Sequence, residues 1–250
     1  MSSAESTRFV ADGVPSCASD AVPWISVAQM REVDREAIAL GLSLTRMMEN
    51  AGANLAWLAR GMVGGAVAGG RIVVLAGRGG NGGGGLVAAR RLIGWGADVE
   101  IRLASEPDGL APVPLEQLRL LERMDAPIVL GAERISQPEL FIDAVLGYGQ
   151  RGDPDPLAAA LIEATATARV ISLDVPSGLE LEGGTVRQPA VRAAATLTLA
   201  LPKAALGLSH ARGVVGELYL GDISIPAVVY ERLGIPYHSP FAAGPIVRLA

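Results

Sequence analysis

The sequence has few of the residues on which several classes of protein depend. It contains a single cysteine, Cys17, so no disulfide can form within the chain, and we expect a reducing, cytoplasmic location. Its two histidines, His210 and His238, have no cysteine or carboxylate partner at a zinc-ligand spacing. No apolar stretch reaches the ~18 uncharged residues of a membrane helix, because a proline and two basic residues interrupt the longest one.

Basic residues and two common enzyme motifs are also scarce or missing. Lysine and arginine total 21 against 26 acidic residues, a net charge of −5, which argues against a nonspecific nucleic-acid binder. Neither the G-x-x-x-x-G-K-[ST] loop of P-loop nucleotidases nor the G-x-S-x-G elbow of serine hydrolases occurs. With 50% hydrophobic and 19% charged residues, the composition is that of a folded chain. We therefore expect a folded protein that has neither a nucleic-acid nor a membrane partner.

Apolar, β-branched runs alternate with amphipathic segments along most of the chain. We expect strands at 71–76, 98–103, 127–130, 140–145, 170–175, 194–201 and 216–220. We expect helices at about 27–40, 44–62, 86–95, 114–123 and 154–167. This alternation predicts an α/β fold of parallel β-α-β crossovers with helices on both faces of the sheet. We expect residues 1–22 to form a flexible N-terminal leader and residues 23–250 to form a single domain.

The segment after the first predicted crossover strand is unusually rich in glycine. Gly77–Gly85 holds seven glycines in nine positions, interrupted only by Arg78 and Asn81. A G-x-G-x-x-G spacing begins at Gly77, between a strand and a helix, where free N–H groups and the helix dipole favour a phosphate. The alternative is a tight strand–helix turn that binds nothing.

Two further strands end in polar or glycine-containing segments. Asp143 lies within an apolar strand that precedes a second loop, 147–153, and its carboxylate requires a cation or hydrogen-bond donors. Asp174 ends another apolar strand, a position at which a carboxylate can act as a general acid or base. For each residue, capping of a turn is the alternative. Because ligands bind beyond the carboxyl ends of parallel strands, we expect one pocket there, for a phosphorylated or nucleotide-like small molecule.

Lys203 is the only lysine of the chain and the one charge in the apolar segment around it. Two interpretations account for it equally well. It forms a salt bridge with a structural role, or it contacts a ligand phosphate or acts in catalysis.

Seven motifs, taken together and in order, resemble the NAD(P)H-hydrate epimerase family, the YjeF N-terminal domain. They are M-R-E-V-D-R-E-A-I, M-M-E-N-A-G, G-R-G-G-N-G-G-G-G-L-V-A-A-R, D-A-V-L-G-Y-G, S-L-D-V-P-S-G, L-P-K and G-D-I-S-I-P, between about Ile25 and Pro226. The resemblance implies a Rossmann-like three-layer α/β/α sandwich that forms a homodimer. It implies an isomerase of metabolite repair that interconverts the R and S epimers of hydrated NADH and NADPH.

The same resemblance implies roles for individual residues. Asp174 matches the general acid/base, which moves a proton as the C–O bond at nicotinamide C6 opens and recloses, and Lys203 matches a lysine of the family and is the second implied catalytic residue. One potassium ion per subunit is implied, with Asn81, Asp143 and Ser177 as its ligands. The hydrated dinucleotide is substrate rather than cofactor. Its implied contacts are Gly80, Asn81, Gly82, Gly83, Gly84, Gly147, Tyr148, Gly149, Gln150, Arg151, Gly152, Asp153 and Asp174.

The chain departs from the family pattern in both loops. The family loop usually reads G-P-G-N-N-G-G-D-G, whereas this chain has Arg78, Gly80 and Gly84 in place of proline, asparagine and aspartate. Tyr148 replaces a threonine. The guanidinium of Arg78 can bind a phosphate through two hydrogen bonds and so compensate for the polar side chains that this loop lacks. Two alternatives therefore stand beside the epimerase: a repurposed isomerase or lyase that acts on another small molecule, and a non-catalytic ligand-binding module.

Overall fold

A computed structural model describes residue 11 and residues 13–250 of the chain. The strands are β1 (Ser16–Cys17), β2 (Arg71–Ala76), β3 (Asp98–Leu103), β4 (Ile128–Leu130), β5 (Leu140–Ala144), β6 (Val170–Leu173), β7 (Leu179–Glu180), β8 (Thr185–Val186), β9 (Ala195–Leu199), β10 (Glu217–Gly221) and β11 (Ile246–Leu249). The α-helices are α1 (Val27–Ala39), α2 (Leu44–Met62), α3 (Gly80–Gly94), α4 (Pro112–Glu122), α5 (Pro156–Glu163), α6 (Arg212–Val215) and α7 (Ala227–Arg232). No helix among these residues is both long enough and apolar enough to cross a membrane.

The strands form one large, mostly parallel sheet. Within the described residues its order is β1-β11-β10-β9-β6-β5-β2-β3-β4, and β7 pairs with β8 as a separate antiparallel hairpin. The strands from β10 to β4 in that order are all parallel, whereas β11 runs antiparallel to β10, and β1 runs parallel to β11. The predicted α/β class with a mostly parallel sheet is confirmed.

Alternate side chains of the central strand β2 enter two different cores. Ile72 and Val74 are fully buried in a cluster that includes residues of α2, α3 and α4. Val73 and Leu75 point to the opposite face and pack with residues of α5. This period of two places helix layers on both sides of the sheet, so the strand is apolar throughout.

The glycine-rich segment differs from the loop predicted over residues 77–85. Helix α3 begins at Gly80 rather than at residue 86. A Cβ atom on Gly82 would lie 1.8 Å from the Gly77 carbonyl oxygen, and one on Gly84 would lie 2.6 Å from Leu173 Cδ2. The first turns of α3 pack so closely against the sheet that these positions require glycine. Glycine content alone does not distinguish this packing requirement from a ligand-binding loop.

Part of the segment predicted as a flexible leader is built into the sheet. β1 pairs with β11, and Val22 is buried in an apolar cluster with Leu220, Val247 and Leu249. Burial of these apolar side chains gives residues 13–22 a fixed place that their weak sequence pattern does not predict. Residues 1–10 and 12 lie outside the described residues.

Strands β6 and β9 end earlier than predicted, and each is followed by a residue with left-handed backbone conformation. Asp174, directly after β6, and Ala200, directly after β9, each have φ of +63°. Such a conformation is uncommon for residues other than glycine. It turns the chain sharply at the carboxyl edge of two neighbouring strands, where the predicted site lies.

The packing of α3 generates a stability prediction. Gly82→Ala should lower the free energy of unfolding by at least ~2 kcal/mol, because the added methyl meets main-chain atoms that cannot move independently. Gly94→Ala is the matched control, since its Cβ would meet nothing within 4 Å, and it should stabilise the helix by up to ~1 kcal/mol. Urea unfolding measures both, and equal stability of the two variants would contradict this account of the packing.

Candidate active site

A cavity of about 850 Å³ opens at the carboxyl edge of the parallel strands. Its walls come from the segments that follow β2, β5, β6 and β9, together with side chains of α1 and α2. This is where the parallel topology predicts a ligand site. The volume lies in the range of roughly 300–1,000 Å³ that is typical of small-molecule sites.

An ion pair between Asp174 and Lys203 lies at this cavity, although both side chains are almost completely buried. Lys203 Nζ donates to Asp174 Oδ1 at 2.5 Å, to Leu199 O at 2.9 Å and to Thr198 Oγ1 at 3.3 Å. An ammonium group has three hydrogens, and each has an acceptor here. The structure therefore shows the salt bridge that one interpretation of Lys203 predicted. The partner of Lys203 in this salt bridge is Asp174, the predicted acid/base.

The two oxygens of the Asp174 carboxylate have different surroundings. Oδ1 accepts from Lys203 Nζ, from the Leu199 N–H at 3.3 Å and from Thr198 Oγ1 at 3.4 Å. Oδ2 accepts no hydrogen bond from the described residues, and the side chain lines the cavity. One oxygen is thus held by the protein, and the other is available to a ligand.

A second carboxyl group, Asp34 of α1, lines the same cavity and was not predicted from the sequence. Tyr148 Oη donates to Asp34 Oδ2 at 2.6 Å. Burial raises the pKa of Asp34 above its ordinary value, and the Tyr148 hydrogen bond and the Lys203 charge partly oppose that rise. The available sequence signal was a carboxylate one turn after Met30 and beside Val33, on the apolar side of the helix.

Asp143 is fully buried beneath the cavity, and four donors satisfy its carboxylate. Oδ2 accepts from Ser172 Oγ at 2.7 Å and from the Ser177 N–H at 2.9 Å. Oδ1 accepts from Ser177 Oγ at 2.5 Å and from the Val145 N–H at 3.3 Å. Burial raises the pKa of Asp143, and these hydrogen bonds oppose the rise. The cluster ties the segments after β5 and β6 to each other.

The three side chains predicted as potassium ligands belong to one hydrogen-bonded chain. Ser177 Oγ accepts from the Leu146 N–H at 2.9 Å, and Asn81 Nδ2 donates to the Leu146 carbonyl at 2.9 Å. Carboxylate, hydroxyl, amide and main-chain carbonyl oxygens are the donors that hard cations prefer. The donor set of Asn81, Asp143 and Ser177 therefore fits potassium in its chemistry. Among the described residues, no three His, Cys, Asp or Glu side chains cluster as metal ligands.

The predicted ligand-contact residues separate into two groups. Those that line the cavity are Gly80, Asn81, Gly147, Tyr148, Gly149, Gln150, Arg151, Asp153 and Asp174. Gly82, Gly83 and Gly84 are buried inside the packing of α3, and Gly152 also lies outside the lining. A side chain on Gly80 would meet nothing within 4 Å, so this position is open space in front of the helix.

The second loop is fastened at several points. Gln150 Oε1 accepts from the Gly178 N–H at 3.0 Å, and Arg151 Nη2 forms a 3.2 Å ion pair with Glu182. Arg78 follows β2, is exposed and lines the cavity. The wall contributed by α1 and α2 includes Met30, Arg31, Leu44, Met47 and Met48, and motif spacing did not identify these residues as part of the site.

A comparison with known families fits this geometry. The profile described as "YjeF-related protein N-terminus" matches residues 44–205, which include both loops, Asp143, Asp174 and Lys203. The chain belongs to the YjeF-related N-terminus family. The family resemblance drawn from the seven motifs is therefore confirmed.

Named relatives of the family cover most of the chain. An NAD(P)H-hydrate epimerase of Dehalogenimonas lykanthroporepellens is 43% identical over 237 residues, which are 92% of this chain and 94% of that protein. One of Truepera radiovictrix is 36% identical over 226 residues, covering 88% and 96%. A bifunctional NAD(P)H-hydrate repair enzyme Nnr of Thermofilum pendens is 35% identical, but the match spans only 44% of its length.

A solved structure supports the family fold. The crystal structure of yeast ynu0 superimposes with a TM-score of 0.76, covering 91% of this chain and all of the yeast chain, at 23% sequence identity.

The buried ion pair generates a second stability prediction. Lys203→Met should lower the free energy of unfolding by about 3 kcal/mol, because it leaves the Asp174 carboxylate without its countercharge. The double variant Lys203→Met/Asp174→Asn should recover more than half of that loss. Arg35→Met removes an exposed cation and should change stability by under ~0.5 kcal/mol. Urea unfolding of wild type, Lys203→Met, Asp174→Asn and the double variant completes the cycle, and strictly additive losses would contradict the coupling.

Proposed function

We propose that the protein is an NAD(P)H-hydrate epimerase, which interconverts the R and S forms of hydrated NADH and NADPH. The observation that carries the proposal is Asp174, which lines a cavity of about 850 Å³ and has one carboxylate oxygen fixed by Lys203, while the other accepts no hydrogen bond from the described residues. The 43% identity to a named epimerase over 92% of the chain supports the assignment.

The substrate would lie with its phosphates at the start of α3 and its hydrated ring at Asp174. Gly80 and Asn81 begin a helix of 15 residues, whose first N–H groups have no partner within the helix. Arg78 adds a guanidinium at the same wall. The ring then reaches inward to the carboxyl edge of β6, where the Asp174 carboxylate lies.

Epimerisation must make C6 of the nicotinamide ring planar and then restore its fourth bond on either face. When the 6-hydroxyl gains a proton and leaves as water, the N1 electron pair forms a C6=N1 double bond. Water then adds to the opposite face, and Asp174 Oδ2 takes the proton that this water loses. In the reverse direction the protonated Asp174 gives the proton back to the leaving hydroxyl.

Lys203 acts on this step through Asp174 rather than by touching the substrate. Its three ammonium hydrogens already face protein acceptors, and the residue is 1% exposed. It fixes the rotamer of the carboxylate and places a countercharge beside it.

The test of the function follows purified (R)-NADPH hydrate by NMR, with catalytic amounts of protein. The protein should accelerate equilibration with the S form, and Asp174→Asn should lower kcat at least ~100-fold, the lower end of general acid–base contributions. Asp98→Asn is the matched control, because Asp98 is the first residue of β3 and lies at the amino ends of the parallel strands, away from the cavity at their carboxyl ends. Folded protein that leaves the spontaneous rate unchanged would reject the epimerase and favour another substrate for this pocket.

We further propose that Asn81, Asp143 and Ser177 hold one potassium ion. The support is the donor set described above, which offers amide, carboxylate and hydroxyl oxygens beside the Leu146 carbonyl. A cation there would offset the buried charge of Asp143 and add positive charge beneath the loop that follows β5.

Thermal unfolding in potassium chloride and in choline chloride of equal ionic strength tests the cation site. Potassium should raise the melting temperature by about 3 °C or more, because it binds the folded state preferentially. Ser177→Ala should reduce that increment, whereas Ser239→Ala, on an exposed loop serine, should keep it. Equal melting temperatures in both salts would exclude a site that stabilises the fold.

We also propose a homodimer in the cytoplasm. Large exposed apolar side chains on and next to α1 and α2, namely Ile38, Leu44 and Trp57, support association. The single thiol, Cys17, supports a reducing compartment. Sedimentation equilibrium would separate a dimer from a 25.7 kDa monomer, and cell fractionation would test the compartment.

A further inference from the structure

The reaction proposed above requires a proton donor for the leaving hydroxyl as well as an acceptor for the incoming water. Asp174 supplies only one of these groups at a time. The cavity holds a second carboxyl group, Asp34 of α1, which reaches the site from the helix layer rather than from a strand end. A catalytic role for Asp34 rests on the proposed function.

Asp34 is positioned as Asp174 is, with one oxygen fixed and the other available. Its Oδ2 accepts the 2.6 Å hydrogen bond from Tyr148 Oη. Its Oδ1 accepts no hydrogen bond from the described residues. Tyr148 belongs to the loop after β5 and itself lines the cavity, so the pair joins the helix wall to the loop wall.

The two carboxyl groups differ in the charge that faces them. Asp174 has the Lys203 ammonium at 2.5 Å, whereas Asp34 has a neutral phenol and, among the described residues, no cation within ion-pair distance. Burial is the main cause that raises the pKa of Asp34, and the negative charge of Asp174 adds to it. Two carboxyl groups that line one cavity and face different charges commonly divide into an acid and a base.

We propose that Asp34 is a second catalytic residue, which donates a proton to the 6-hydroxyl on one face of the ring while Asp174 accepts a proton from water on the other. The C6–O bond breaks with its electron pair on oxygen, and water leaves. The N1 electron pair forms the C6=N1 bond, and the second water adds at C6 from the Asp174 side. At the end Asp34 is ionised and Asp174 is protonated, which is the state required to convert the epimer back.

The charges at the site support this order of events. Once Asp34 has given up its proton, Asp34, Asp174 and Lys203 together carry a net charge of −1 beside the ring. This charge stabilises the planar cation in a partly buried site, where charges interact more strongly than in bulk water. Tyr148 is the positioning residue. Its hydrogen bond occupies Asp34 Oδ2, so Asp34 Oδ1 is the oxygen that remains for the substrate.

The experiment measures kcat, KM and pH profiles for both directions by NMR, in wild type, Asp34→Asn, Tyr148→Phe and Glu32→Gln. Asp34→Asn should lower kcat at least ~100-fold while KM changes less than ~3-fold. Glu32→Gln makes the same chemical change on the same helix, at an exposed residue that pairs with Arg35, and should behave as wild type.

The pH profiles separate catalysis from a structural role. In the wild type kcat/KM should fall at high pH as Asp34 ionises, and Asp34→Asn should abolish that fall. The Tyr148 hydrogen bond lowers the pKa of Asp34, so Tyr148→Phe should move the fall to higher pH. The charged and titratable groups that act on Asp34 or on its partner Tyr148 are Arg31, Tyr148, Asp174, Lys203 and Tyr230.

Isotope transfer adds a readout that does not depend on a variant. In water enriched in ¹⁸O, each wild-type epimerisation should place one solvent oxygen at C6. Retention of the original oxygen, or wild-type kcat and pH profile in Asp34→Asn, would overturn the inference while leaving the epimerase intact. Absence of wild-type acceleration would instead reject the proposed function itself.

Discussion

The close approach of α3 to the sheet is the constraint on which the site depends. Gly82, Gly84 and Gly85 leave no room for side chains between the helix and the strand ends, so the helix lies directly on the sheet. Its first turn therefore begins at the carboxyl edge of β2, within reach of the loop after β5. The Asn81–Leu146 hydrogen bond and the open space at Gly80 both follow from that placement. The glycines act mainly through packing, and their effect on a ligand is indirect.

Buried charge makes the second contribution to the site. Asp143 holds two segments of the chain through four hydrogen bonds, and Asp174 is held by Lys203 and main-chain atoms. An unpaired charge at either place would be costly, so the surrounding loops have one low-energy arrangement. The bonds to Asp174 all go to Oδ1, so Oδ2 stays without a partner among the described residues.

Much of this could be predicted from the sequence, because it depends on local patterns. Strand and helix alternation predicted the sheet, and α2 was predicted at its observed bounds, 44–62. Asp174 was identified because it ends an apolar strand. Asp34 was missed because its contact with Tyr148 joins residues 114 positions apart, which no local period reports. Glycines needed for packing look the same in sequence as glycines needed for a ligand, and β1, with two residues, is too short to give a clear pattern.

The composition and burial of one residue give the chain an unusual chemical property. Lys203 is the only lysine of the sequence, and the structure places it at the floor of the cavity with 1% exposure. Every other cationic side chain is an arginine or a histidine. Side-chain ε-amine chemistry on this protein is therefore confined to the interior of its candidate active site. An amine-directed reagent can modify a side chain only when the Asp174 pair opens, so the chain carries a natural reporter of that opening.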